Sequence, residues 1–248
     1  MMNFGLIGKS LSHSFSKAYL EKKFIKEDKI GFQYSNFDLE NLDSFMEIIS
    51  ANHLTGLNVT KPYKEAIIPY LNELDVTAKE IGAVNCVKIS WQSNTPFLIG
   101  YNTDYYGFAQ SIKPFLEPIH QRALILGTGG ASKAIAYALK NVGVDFYYVT
   151  SGKKKASNYF HYSELNEYVL NAFKLIVNCT PLGMYPKTDT CPEIPFEFID
   201  REHLLYDLIY NPEETLFLKK GKERGAATIN GLNMLKLQAD KAWEIWHT

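Results

Sequence analysis

The chain has 248 residues, enough for one large core or two modest ones, with 46% hydrophobic and 21% charged residues. Its 26 Lys and Arg nearly balance 27 Asp and Glu, and a net charge of -1 argues against both a disordered polyelectrolyte and a nucleic-acid surface. No apolar run reaches the roughly 18 residues of a membrane span and the start lacks the pattern of a secretory signal, so no membrane contact and a cytoplasmic location are expected. Cys86, Cys179 and Cys191 stand far apart without the spacing of a disulfide framework or a zinc site, so no metal is expected.

Taken in chain order, residues 3–8, 32–37 and 54–60 are short apolar runs separated by residues 15–25 and 39–49 at helical spacing. This βαβαβ rhythm predicts a mostly parallel sheet flanked by helices. Residues 83–89 and 97–100 read as two further strands joined through the turn-forming residues 90–96. A second alternation follows, with strands expected at 122–126, 146–150, 175–178 and 204–209. Residues 231–247 carry Leu232, Leu235, Ala239, Ala242 and Trp246 at helical spacing and read as a closing helix returning to the first domain. The fold class is therefore α/β in two domains: residues 1–103 with the closing helix 231–248, and residues 104–230.

The expected strand 122–126 runs into Gly127-Thr128-Gly129-Gly130-Ala131-Ser132 and then a helix-favouring stretch, the order of a dinucleotide-binding turn. Glycines let the backbone approach a pyrophosphate, and the helix N-terminus offers N–H groups and a positive dipole end. The bland alternative is an ordinary tight turn between strand and helix. At the end of the next strand, where an NAD site places a carboxylate on the ribose, stand Ser151, Gly152 and Lys153, followed by Lys154 and Lys155. That favours NADP over NAD, unless the lysines are simply a solvated loop.

In the first domain, polar clusters fall at the expected C-terminal ends of strands, where open α/β sheets bind ligands. Residues 8–16 offer hydroxyls ahead of a helix, as carboxylate ligands or as helix caps. Residues 58–64 place Pro62 as first helical residue, with Lys64 in the first turn, where its charge opposes the helix dipole. Asn85 follows Val84, and Asp104 closes the segment from Gly100, as a ligand-facing carboxylate or a cap.

Together these segments resemble the shikimate dehydrogenase family from Gly8 to Gln238. The matching pieces are His13-Ser14-Phe15-Ser16, the run Asn58 to Lys64, Gly82-Ala83-Val84-Asn85, Asn102 to Gly107, the glycine turn, Asn178 to Met184, and Asn230-Gly231 with Met234, Leu235 and Gln238. The resemblance implies a substrate domain joined to a Rossmann-type NADP domain, and reversible NADPH-dependent reduction of 3-dehydroshikimate to shikimate in aromatic amino-acid biosynthesis. Lys64 and Asp104 are implied as the catalytic pair. Ser14, Ser16, Thr60, Asn85, Tyr210 and Gln238 are implied as further substrate ligands. Gly127, Thr128, Gly129, Gly130, Ala131, Ser151, Lys153, Thr180, Gly231 and Met234 are implied for the cofactor. A monomer or homodimer with a small-molecule substrate is expected. The family's Asn-Arg-Thr after the second Rossmann strand is replaced by Ser151-Gly152-Lys153, which keeps NAD use open. Two other readings also stay open: a quinate or broad quinate/shikimate dehydrogenase, and a non-catalytic dinucleotide-binding sensor.

Overall fold

The computed structural model describes residues 2–11, 15–153 and 156–248. Two compact units are present, Met1–Thr103 with Gln238–Thr248, and Asp104–Leu237.

The first unit contains β1 (Met2–Gly8), α1 (Phe15–Lys26), β2 (Phe32–Asp38), α2 (Phe45–Asn52), β3 (Leu54–Val59), α3 (Tyr63–Ala66), β4 (Glu73–Leu74), α4 (Val76–Ile81), β5 (Cys86–Gln92) and β6 (Thr95–Tyr101). Its sheet runs β2-β1-β3-β5-β6-β4. β1 pairs in parallel with β2 and β3, and β4 with β6, whereas β5 is antiparallel to β3 and β6. Both faces are covered, which is why the early strands read as nearly unbroken apolar runs. Along β1, Ile7 joins the core formed with Phe45, Ile49, Leu57 and Val59. Phe4 and Leu6 point the other way, toward Leu20, Phe24, Trp243 and Trp246. Trp246 also donates from its indole N–H to the Val87 carbonyl at 3.0 Å.

Local departures from the expected elements have local causes. α2 begins at Phe45 rather than near residue 39, because Asn41 Oδ1 accepts from the Asp43 N–H at 3.0 Å and holds a turn, although Leu39 and Leu42 are buried. α3 begins at Tyr63, one residue beyond Pro62. The expected connection 90–96 shrinks to Ser93 and Asn94, since Gln92 already pairs with Thr95. β4 is a two-residue edge strand, too short to leave a sequence signal.

The second unit contains α5 (Asp104–Ile112), β7 (Arg122–Leu126), α6 (Gly130–Asn141), β8 (Asp145–Thr150), β9 (Tyr159–His161), α7 (Glu167–Ala172), β10 (Leu175–Asn178), β11 (Leu204–Asp207), α8 (Leu216–Glu223), β12 (Ala227–Ile229) and the start of α9 (Leu232–His247), whose residues from Gln238 onward group with the first unit. The sheet order β12-β11-β10-β7-β8-β9, with every pairing parallel, is that of a doubly wound dinucleotide fold. Alternation again splits the core, with Ile125, Val177 and Tyr206 facing Phe108 and Ile135. Leu124, Ile176 and Leu205 face Leu170 and Phe217. β11 stops at Asp207, two residues short of the expected limit. β9 and β12 escaped the sequence reading because each has only three residues.

Gly56 tests the packing of α9. A Cβ there would lie 2.6 Å from three carbons of the Trp246 ring, whose indole is itself fixed by Val87. Gly56→Ala is expected to destabilise the first unit by about 1–3 kcal/mol through overpacking, read from the denaturant midpoint. An unchanged midpoint would show that the indole is free to move.

Candidate functional site

In the first unit, the antiparallel insertion of β5 gathers the site. Because β5 runs against β3 and β6, its beginning lies beside their ends, with Cys86 opposite both Asn58 and Tyr101. Asn58, Thr60, Asn85 and Thr103 thus reach one edge of the sheet. Asn85 is the junction. Its backbone carbonyl accepts from the Val59 N–H at 2.9 Å and the Asn58 amide at 3.3 Å, and its Oδ1 accepts from the Thr103 N–H at 2.6 Å. Its Nδ2 donates to the Thr103 hydroxyl at 2.9 Å and to Gln238 Oε1 at 3.4 Å, and the Thr103 hydroxyl donates to the same oxygen at 3.3 Å. Asn85, Thr103 and Gln238 are all buried. Below them, Tyr34 donates its hydroxyl hydrogen to Asn58 Oδ1 at 2.8 Å.

Lys64 belongs to the same edge. It lies in the first turn of α3, half-buried, and its carbonyl accepts from the Val84 N–H at 2.7 Å, one residue before Asn85. Thr60, also half-buried, takes its backbone bond from the β1 end, donating to the Ile7 carbonyl at 2.9 Å. Asp104 follows Thr103 directly, is buried and opens α5. Ser16 is half-buried in the first turn of α1, while Ser14 lies outside the described residues. Leu11 leads toward that segment, its N–H held by Asp38 Oδ1 at 2.7 Å.

The second unit carries the features a dinucleotide requires. Gly127, at φ 98°, turns the chain out of β7, and a Cβ there would lie 3.0 Å from the Thr180 methyl, so this φ and this packing both call for glycine. Gly129 precedes α6 without any side-chain cap, and a Cβ on it would meet nothing within 4 Å. Open space and an uncapped helix N-terminus, bordered by Thr128, Gly130 and Ala131, are what a pyrophosphate needs. At the end of β8, Ser151 and Lys153 are exposed, and the Gly152 N–H bonds to the Thr150 hydroxyl at 3.0 Å. No carboxylate stands in that turn, so it fits a 2′-phosphate better than a bare ribose diol. Lys154 and Lys155 lie outside the described residues.

Other expected residues have mixed surroundings. Thr180 N–H and hydroxyl both donate to Asn178 Oδ1, at 3.0 and 2.7 Å. Tyr210 is half-buried, following Ile209 beyond β11. Gly231 is buried and donates its N–H to the Ile209 carbonyl at 3.0 Å, and a Cβ on it would collide with the Leu208 carbonyl. Met234 is 7% exposed and packs in the core with Phe108 and Ile125, which leaves little of it for a ligand. Thr103 and Asp207 were not singled out from sequence. Thr103 falls within the matching segment Asn102 to Gly107, and the trace of Asp207 is a polar residue closing an apolar run. Among the described residues, no cluster of His, Cys, Asp or Glu could hold a metal ion, and no helix is long and apolar enough to cross a membrane.

Known proteins resemble this chain over most of its length. The sequence model of the shikimate dehydrogenase substrate binding domain matches residues 6–87. A shikimate dehydrogenase (NADP(+)) from Methanococcus aeolicus is 40% identical over 256 residues, 98% of this chain and 90% of that protein. Among solved structures, shikimate dehydrogenase 1 from Peptoclostridium difficile is 39% identical, with a TM-score of 0.85 over 100% of this chain and 92% of that one. Shikimate 5-dehydrogenase from Thermus thermophilus, solved with NADP(H) and shikimate, is 29% identical with a TM-score of 0.85, covering 99% of this chain and 93% of that one. With two-fifths of its residues shared with such a relative along almost its whole length, the chain belongs to the shikimate dehydrogenase family.

Proposed function

We propose that this protein catalyses the reversible NADPH-dependent reduction of 3-dehydroshikimate to shikimate, a step of aromatic amino-acid biosynthesis, as a cytoplasmic enzyme acting as a monomer or homodimer. The observation that carries the reading is the polar edge of the first unit. There the Lys64 backbone is tied to Val84, and Asn85 is tied to Thr103, the residue before Asp104. A bound dinucleotide supplies the hydride. The chain must then stabilise and protonate the oxygen of the carbonyl being reduced.

In this reading the Lys64 ammonium donates to that oxygen, stabilises the developing alkoxide and passes it a proton. Asp104 orients the ammonium and accepts from a neighbouring ring hydroxyl. Thr60, Asn85 and Gln238 present alternating donors and acceptors to the remaining hydroxyls, which suits a polyhydroxylated ring better than an apolar substrate. Ser14 and Ser16 take the carboxylate, and Tyr210 adds a hydroxyl contact. The glycine turn holds the pyrophosphate and Lys153 the 2′-phosphate.

Incubation with shikimate and NADP+ is expected to raise the absorbance of the reduced nicotinamide band; tight NADP+ binding without turnover would leave only a sensor. Lys64→Ala is expected to lower kcat at least ~10²-fold with a smaller change in KM, as for loss of an acid or electrostatic group, and near-normal turnover would remove Lys64 from the chemistry. Lys153→Glu is expected to lower kcat/KM for NADP+ on the order of tenfold relative to NAD+ by placing a carboxylate against the 2′-phosphate. An unchanged ratio would assign the phosphate to other groups.

A further inference from the structure

Asp207 ends β11, which lies between β12 and β10 in the second unit's sheet, and is 0% exposed. Among the described residues no cation pairs with it; its carboxylate instead accepts three hydrogen bonds, from Asn178 Nδ2 at 3.0 Å, the Ile209 N–H at 3.0 Å and the Thr215 hydroxyl at 2.6 Å. Each donor governs a different segment. Asn178 uses its other amide atom to hold Thr180, whose hydroxyl in turn accepts from the Leu182 N–H at 3.3 Å. Ile209 holds Gly231 through its carbonyl, and Thr215 caps α8 by accepting from the Leu218 N–H at 3.3 Å. Through the Thr180 methyl the chain of contacts ends against Gly127.

Such a group is costly for the fold. Burial pushes the Asp207 carboxyl up to about 6, against the lowering pull of its three donors. The sign follows from a folded value above the ordinary one near 3.9: the contribution of Asp207 to stability is greatest at low pH, falls as pH rises from about 4 to about 6, and its deficit is complete above that. The charge also reaches the half-buried Cys179 thiol, which desolvation and Asp207 both push up. A carboxylate that weakens the unit at neutral pH, yet bonds to three segments at the C-terminal edge of the sheet, is better explained by what those segments do than by stability.

We propose that Asp207 is a positioning residue that sets the wall of the cofactor crevice against which the nicotinamide half of the dinucleotide lies. The proposal rests on the reading of the second unit as the NADP unit. In a doubly wound sheet each βαβαβ half takes one mononucleotide. The glycine turn, Ser151 and Lys153 belong to the half built on β7 to β9. The three segments joined by Asp207 all belong to the half built on β10 to β12. Loss of Asp207 therefore loosens the grip on one end of the dinucleotide and spares the other.

The test uses the full chain and two probes: NADPH, which spans both halves, and 2′,5′-ADP, which reaches only the first. Asp207→Ala is expected to raise the dissociation constant for NADPH on the order of tenfold, with that for 2′,5′-ADP held within about twofold. Asp207→Asn, whose amide oxygen still accepts from Asn178 and Ile209, is expected to recover most of the loss. Thr215→Val, which removes one donor with little change of shape, is expected to show a smaller loss in the same direction. If Asp207→Ala does not fold, Asp207→Asn and Thr215→Val decide by the same criterion. Parallel weakening of both probes, or no change in either, overturns the proposal. A wild-type protein that binds neither probe overturns the cofactor reading itself and the proposal with it, a result distinct from any failure of the variants.

Discussion

A parallel strand that ends inside a protein leaves N–H and C=O groups that the sheet no longer pairs, and such groups cannot stay buried without partners. This chain meets that constraint with short polar side chains at the strand ends. In the first unit Asn58 reaches the Asn85 carbonyl and Asn85 receives the Thr103 N–H. In the second, Asn178 receives the Thr180 N–H and Asp207 the Ile209 N–H. Two sheets of different topology thus use the same device at the edge where open α/β sheets bind ligands.

The device has a chemical by-product. Amide and carboxylate groups placed to satisfy the backbone also fix the polar atoms around them. Preorganised dipoles need little rearrangement during reaction, which is where electrostatic catalysis gains most. The Asn85–Thr103–Gln238 cluster illustrates this in the first unit, since each member is held by the others and all are buried. The division of labour also follows: the first unit offers alternating donors and acceptors suited to ring hydroxyls, and the second an open glycine turn suited to a pyrophosphate.

Much of this was legible in the sequence, for reasons that can be traced to particular residues. Long strands with both faces covered, such as Leu124–Leu126 within β7, announce themselves as apolar runs, and the glycine turn follows them in the one order that serves a dinucleotide. The edge strands β4, β9 and β12 gave no such signal, being two or three residues long and paired on one side. The extent of α2 is overread from sequence because Leu39 and Leu42 have helical spacing but reach the core from a turn. Asp207 escapes a sequence reading because its importance lies in bonds to Asn178 and Thr215, 29 and 8 residues away, which no local pattern encodes. Met234, matched by motif, packs its side chain among Phe108 and Ile125, a placement that the motif does not convey.

The first unit is discontinuous in the chain, and one side of its core is filled by Ala242, Trp243 and Trp246. During synthesis, residues 2–103 emerge before residues 238–248 that pack against them, with the whole of residues 104–237 made in between. Until those arrive, Phe4, Leu20 and Phe24 lack their aromatic cover, so the nascent chain carries an exposed apolar face that invites chaperone binding or aggregation. A unit begun early in the chain is therefore completed only after the whole intervening unit has been made.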